Sequence, residues 1–242
     1  MPNEALTVLT YNVYNHHSGD SAFANRVDAI VEVIVDTRPD VVCIQEAPST
    51  GFLRALAAQL TRDQKRYMRV ACTEMRRPDG WTEHIGIIHP GTGRTATVHS
   101  APTGEHIGIS VHLAGANLTV ASVHLNPHQA ETRHGQATRL SDELPESGPL
   151  ILCGDLNAVP GGGTLATLST RLQTLAPDSS ITSTFPTPLR TELAENPGAV
   201  LDHILGRGLV VEASGIAGNE PIGGIWPSDH VAIWARIRSE AR

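Results

Sequence analysis

The stretch ILCGDLNAVPGGG, residues 151–163, begins as an apolar run and breaks off at Gly154, after which Asp155 and Asn157 follow within three positions. With Pro149 and Leu150 before it, the run "PLILC" is short, continuous and bounded by turn residues, the pattern of a strand buried on both faces. Gly154 allows close backbone approach, and Asp155 and Asn157, two residues apart, can point the same way. A buried strand thus ends by presenting a carboxylate and an amide. Taken alone, the stretch reads equally well as an Asx-type turn that closes the strand.

The same device recurs along the chain. "TVLTYNV" (7–13) sets Asn12 inside an apolar strand, "DVVCIQEA" (40–47) ends on Gln45 and Glu46, and "LTVASVHLNPH" (118–128) ends on His124 and Asn126. "AVLDHIL" (199–205) and "IWPSDHVAIW" (225–234) bring Asp202, His203, Asp229 and His230 into strongly apolar surroundings. Burying that many polar groups without a use would cost about 1–3 kcal/mol for each left unpaired.

Around these strand ends the chain has the composition of one globular domain, residues 1–242, with 40% hydrophobic and 18% charged residues. Apolar β-type runs at 6–13, 40–45, 66–72, 84–89, 106–113, 117–125, 149–153, 199–205 and 229–237 predict many strands. Helical spacing falls at 22–37 and 50–60, with a more polar helix at 128–144, so the fold class is mixed α/β. No apolar run approaches the ~20 residues of a membrane helix, and the N-terminus carries no leader pattern, so a soluble, cytoplasmic protein without membrane insertion is expected. Cys43, Cys72 and Cys153 lie in apolar contexts and read as reduced core thiols.

The net charge of -7 argues against binding nucleic acid by charge alone. One basic stretch, residues 62–77 with Arg62, Lys65, Arg66, Arg69, Arg76 and Arg77, reads either as a solvated surface or as a rim that attracts a phosphorylated substrate. An oxygen-rich set of Glu46, Asp155 and Asp229 with Asn12 and Asn157 suits hard Mg²⁺ or Mn²⁺; without a cysteine cluster beside the histidines, zinc is a poorer match.

The ordered set "TYNV", "IQE", "SVHL", "GDLN", "TFP", "LDHIL" and "PSDH", spread over residues 7–234, resembles the endonuclease/exonuclease/phosphatase superfamily, which includes relatives of pancreatic DNase, apurinic endonucleases, neutral sphingomyelinases and inositol polyphosphate 5-phosphatases. The resemblance implies a four-layer αββα sandwich, two packed mixed β-sheets flanked by helices, with an active site where the strand ends meet. It implies Glu46 as principal metal ligand with Asn12 beside it, and Asp229 as a further carboxylate on the metal side. Asp155 would orient or deprotonate the attacking water, and Asn157 would hold Asp155 and a phosphate oxygen. His230, oriented by Asp202, would contact the phosphate and share acid–base work; His124 would donate to the phosphate or leaving group. "WTEHIGII" (81–88) places Glu83 where DNase-like members carry the glutamate that orients this second histidine, and the histidine at 124 sets the chain apart from the apurinic-endonuclease type, which has tyrosine there. His112, His128 and His134 read as surface or structural.

The resulting expectation is a Mg²⁺- or Mn²⁺-dependent phosphodiesterase or phosphatase that acts as a monomer on a small or lipid-like phosphate ester. A nuclease is the alternative, less favoured because the chain is acidic and has only three residues each of Phe, Trp and Tyr for base stacking. A non-catalytic binding sandwich is the third reading.

Overall fold

The computed structural model describes residues 5–15, 19–76, 80–91, 93–101, 104–193 and 195–240. Two six-stranded mixed sheets stack face to face. The strands of the first are β1 (Leu6–Asn12), β2 (Val41–Ala47), β3 (Met68–Arg76), β4 (Thr82–Pro90), β11 (Leu209–Ala217) and β12 (Ala232–Ser239), in the order β11-β12-β1-β2-β4-β3. The second holds β5 (Gly93–Ser100), β6 (His106–Leu113), β7 (Leu118–His124), β8 (Leu150–Asp155), β9 (Gln173–Ala176) and β10 (Asp202–Arg207), in the order β5-β6-β7-β8-β10-β9.

Side-chain alternation builds the layers. In β1, Val8 faces the inter-sheet core while Leu9 and Tyr11 face outward under α2 (Val27–Thr37) and α3 (Thr50–Gln64). In β8, Ile151 and Cys153 face inward, and Leu150 and Leu152 pack outward near α4 (Ala130–Glu143) and α5 (Gly163–Ser169). Both faces of each central strand are therefore apolar, which is why "PLILC" and "DVVCI" are continuous runs. With each fully buried Ile, Leu or Val contributing about 1.5–3 kcal/mol, this double burial fixes the register. The result is the four-layer αββα sandwich.

The sequence pattern misses some elements for physical reasons. The helix expected over 22–37 is two, α1 (Gly19–Ala24) and α2, separated by a turn at Asn25 and Arg26, where Arg26 sends its guanidinium inward to the carbonyls of Val13, Tyr14 and Pro227. Strands β5 and β11 are sheet edges without a continuous apolar run, and β9 has only four residues. The runs starting at 199 and 229 become strands only at Asp202 and Ala232. The residues before Ala232 bend away from the ladder and carry Asp229 and His230.

The basic stretch 62–77 is not one patch. Strand β3 pairs antiparallel with β4, Met68 opposite Pro90 and Arg76 opposite Thr82. Its two ends lie ~26 Å apart at about 3.3 Å per residue. Arg62, Lys65, Arg66 and Arg69 gather at one end, where Arg66 pairs with Asp40 at 2.9 Å. Arg76 stands at the other, paired with Glu74 at 2.7 Å. Arg77 lies outside the described residues.

Candidate active site

Strand directions bring the polar ends together. β1 runs parallel to β2 and β7 parallel to β8, while β12, β4 and β10 run antiparallel to their neighbours β1, β2 and β8. The C-terminal ends of β1, β2, β7 and β8 thus meet the N-terminal ends of β4, β10 and β12 at one rim. In register, Asn12 lies beside Gln45, His124 beside Asp155, and Asp155 beside Asp202.

Three local backbone features aim the side chains. Gly154 has φ +144°, and a Cβ there would lie 1.9 Å from the Val123 carbonyl oxygen, so only glycine lets β7 and β8 approach just before His124 and Asp155. In β2 a bulge sets Gln45 and Glu46 against one residue of β4, with Glu46 at φ 55°, so two consecutive polar side chains serve the site. Asn157, at φ 48°, closes an Asx turn in which its backbone N–H donates to Asp155 Oδ1 at 2.9 Å. Both readings of "GDLN" therefore hold at once: the turn exists, and its carboxylate faces the site.

At the centre is Asp155, 2% exposed. Its Oδ2 accepts from Asn12 Nδ2 at 3.1 Å, and the same amide nitrogen donates to Glu46 Oε1 at 3.1 Å, joining the two sheets. Two imidazoles face that oxygen. His124 Nδ1 donates to Glu83 Oε1 at 2.8 Å and its Nε2 lies 3.6 Å from Asp155 Oδ2. His230 Nδ1 donates to Asp202 Oδ2 at 2.8 Å and its Nε2 lies 3.6 Å from the same Oδ2. Each Nδ1–H is fixed by its own buried carboxylate, which leaves both Nε2 atoms as the working edges. Phe185 packs on the His230 ring with centroids 4.7 Å apart.

The charges are strongly coupled. Asp155 and Asp202 oppose each other across two strands, an arrangement that is destabilising without a cation between them. Burial alone would pull the His230 pKa down, but Asp202 and Asp155 overcome it and hold the pKa well above its ordinary value, so the imidazolium sits between them. Burial raises the Asp155 pKa, with His230 opposing and Asp202 adding to the rise. Burial pushes Asp229 up to about 6, with His230 opposing.

All nine residues to which the resemblance gives a role lie at this rim, and the pairs His230–Asp202, His124–Glu83 and Asn12–Glu46 are formed. Among the described residues, Glu46 with Glu83 and His124, and Asp155 with Asp202 and His230, bring three acidic or imidazole ligand atoms close enough together to share a cation. Asp229 is in neither. Its Oδ2 accepts from Arg190 Nη1 at 3.2 Å, while its buried Oδ1 accepts no hydrogen bond among the described residues and lies 4.0 Å from His230 Nε2. One N–H of the Asn157 amide is committed to the Leu125 carbonyl at 3.0 Å. A donor set of carboxylate and amide oxygens beside imidazole, including the orphaned buried oxygen of Asp229, fits a hard divalent cation.

Two further histidines make structural contacts: His112 meets Thr119 at 3.3 Å, and His134 meets Thr167 at 3.3 Å. His203 turns away from the site to donate to the Ala158 carbonyl at 2.8 Å. Asn126 Oδ1 accepts the N–H groups of His128 and Gln129 before α4. Sequence reasoning missed the residues that brace the rim. Gln45 bonds Ser122 across the sheets at 3.0 Å, Ser228 Oγ donates to the Asn12 carbonyl at 2.7 Å, and Thr184 Oγ1 accepts from Leu201 and Asp202 N–H. Gln45, Thr184 and Ser228 stand inside the quoted motifs, so the signal was present without a role attached.

Sequence and fold agree on the class. Residues 9–230 match the sequence profile of the Endonuclease/Exonuclease/phosphatase family, and the chain belongs to that family of phosphoester hydrolases. Similar solved structures include an endonuclease/exonuclease/phosphatase family protein from Leptotrichia buccalis C-1013-b, at 17% identity over 97% of this chain and 100% of that one, TM-score 0.74. D. rerio TDP2 complexed with single strand DNA product is 19% identical over 97% of this chain and 99% of that one, TM-score 0.71. ANGEL2, a 2′,3′-cyclic phosphatase in complex with adenosine-2′,3′-vanadate, is 16% identical over 99% of this chain and 97% of that one, TM-score 0.70. At these identities the likeness is one of fold. No curated protein matches the chain. Among the described residues no helix is long and apolar enough to cross a membrane.

Proposed function

We propose that the protein hydrolyses a P–O bond of a small or lipid-like phosphodiester or phosphomonoester by direct attack of water, with Mg²⁺ or Mn²⁺ as cofactor. The observation that carries this reading is the convergence of two carboxylate-anchored imidazoles on one oxygen, Asp155 Oδ2, at 3.6 Å each.

Glu46, Asn12 and Asp229 would hold the cation, which when bound neutralises phosphoryl oxygens as a Lewis acid. Asp155 orients the attacking water and accepts its proton at Oδ2, while its Oδ1 stays tied to the Asn157 N–H. As the water oxygen bonds to phosphorus and the leaving oxygen departs, an imidazolium Nε2–H supplies the proton that the leaving oxygen needs and its Nδ1–H stays on the carboxylate. His124 takes that role, and the His230 imidazolium, steadied by Asp202, offsets phosphate charge. Asn12 and Asn157 position the phosphoryl group from either side of Asp155. The three free thiols support a reducing, cytoplasmic compartment, and the protein is read as a monomer.

The test is a screen of purified protein with Mg²⁺ against a phosphodiester, a phosphomonoester, plasmid DNA and single-stranded RNA. Turnover of a small ester that disappears with EDTA is expected; full turnover in excess chelator refutes the metal-dependent reading. A nuclease is the second reading, favoured by the TDP2 and ANGEL2 likenesses to proteins solved with a DNA product and an adenosine derivative. Separation of the basic residues to opposite ends of β3 weighs against it.

A further inference from the structure

We infer that Arg190 is a specificity residue that grips a second anionic group on the substrate, a place that Glu192 occupies in its absence; this rests on the phosphoester-hydrolase reading of the site. Arg190 is anchored from below. The turn before it is stapled to the segment carrying the site residues, Thr187 N–H donating to the Asp229 carbonyl at 2.8 Å and Thr187 Oγ1 to the Ser228 carbonyl at 2.5 Å. From that turn the guanidinium reaches Asp229 Oδ2 at 3.2 Å and lies over the Tyr14 ring, 5.3 Å from its centroid. Tyr14 is itself held, its N–H bonded to Asn12 Oδ1 at 2.9 Å and its carbonyl to Arg26 at 2.5 Å.

The two carboxylates on this guanidinium differ in kind. Asp229 is 3% exposed and stays in place, whereas Glu192, bonded to Nε, is 60% exposed. An exposed ion pair is weak and easily exchanged, while an anion brought by a substrate already held at the site faces a lower entropic cost. Nη2 makes no hydrogen bond among the described residues, so the edge formed by Nε and Nη2 is open to a planar or tetrahedral anion once Glu192 swings out. Arg190 is 28% exposed, so its guanidinium offers a positive charge at the rim to an anion arriving from solvent. The substrate class is a phosphate ester with a second phosphate or a carboxylate close to the scissile phosphoryl group.

The probes are orthophosphate, pyrophosphate and phosphoglycolate, titrated calorimetrically into the full-length, metal-free protein. Wild type is expected to bind pyrophosphate and phosphoglycolate at least about tenfold more tightly than orthophosphate. A gain for pyrophosphate alone also supports the assignment and makes the second group a phosphate. Arg190→Gln should abolish the difference while leaving orthophosphate binding in place, Arg190→Lys should restore it in part, and Glu192→Gln should strengthen only the two-anion ligands. Equal binding of all three probes by wild type, or uniform weakening in Arg190→Gln, overturns the inference. The parent reading fails separately, if the probes discriminate as expected yet no phosphoester is turned over with Mg²⁺.

Discussion

Replacing Asp202 by Asn removes one charge and almost no volume, at a side chain that is fully buried and 2.8 Å from His230 Nδ1. The backbone bonds to Thr184 Oγ1 do not involve the carboxylate and survive the change. What is lost is the attraction between carboxylate and imidazolium. For unit charges ~4 Å apart at an effective dielectric of ~20, that attraction is about 4 kcal/mol. A neutral hydrogen bond recovers about 1 kcal/mol, which leaves about 3 kcal/mol, or a fall of ~10²-fold or more in turnover. Because Asp202 acts through His230, the same substitution in a His230→Ala background should cost under ~10-fold. The assay is a double-mutant cycle on kcat for whichever ester the wild type turns over, with thermal denaturation confirming that each variant folds. Equal losses on the two backgrounds would show that Asp202 supports the fold and not the imidazole.

Gly154→Ala should lower stability by at least about 3 kcal/mol, since φ +144° excludes a side chain and the new Cβ would strike the Val123 carbonyl, and Tm should fall by roughly 6 °C or more; calorimetry showing an unchanged Tm contradicts this. His203 is buried and its pKa is held below the ordinary histidine value by burial. The unfolded chain therefore takes up the proton first as pH falls, so this contribution is present above about pH 6.5 and lost below it. Urea midpoints from pH 7.5 to 5 should fall more steeply for wild type than for His203→Gln, and parallel curves would remove His203 as the cause. Excess plasmid DNA should inhibit hydrolysis of a small ester only weakly at low salt; strong inhibition that fades as salt rises, with a log–log slope near ~0.9 per contacted phosphate and accompanied by nicking, would favour the nuclease reading.

The central strands were legible because both of their faces are buried, so the chain writes them as unbroken Val, Ile and Leu runs that end in polar residues. Their convergence was legible only through the resemblance, since nothing in "GDLN" or "PSDH" states that β8 and the approach to β12 share a rim. Edge strands β5 and β11 lacked the pattern because one side of each faces solvent or is only half covered. Arg26 and Arg190 escaped notice for a related reason: each is a cation in a turn-rich segment, where an exposed arginine is the ordinary expectation, and only the folded chain shows one buried against three carbonyls and the other tied to Asp229. Asp229 shows the opposite limit, for its donor chemistry placed it with Glu46 and Asp155, while its hydrogen-bond partner, Arg190, is a residue the motifs do not contain.

The most direct measurement compares Asp155→Asn with wild type for both turnover and thermal stability. Burial and the facing Asp202 carboxylate raise the Asp155 pKa, so the ionised side chain costs stability at neutral pH, and an uncharged isostere should keep or raise Tm. Because both imidazoles converge on that carboxylate, kcat with Mg²⁺ should drop by ~10²-fold or more. A variant that retains near wild-type turnover, whatever its Tm, would contradict Asp155 as the centre of the hydrolytic site.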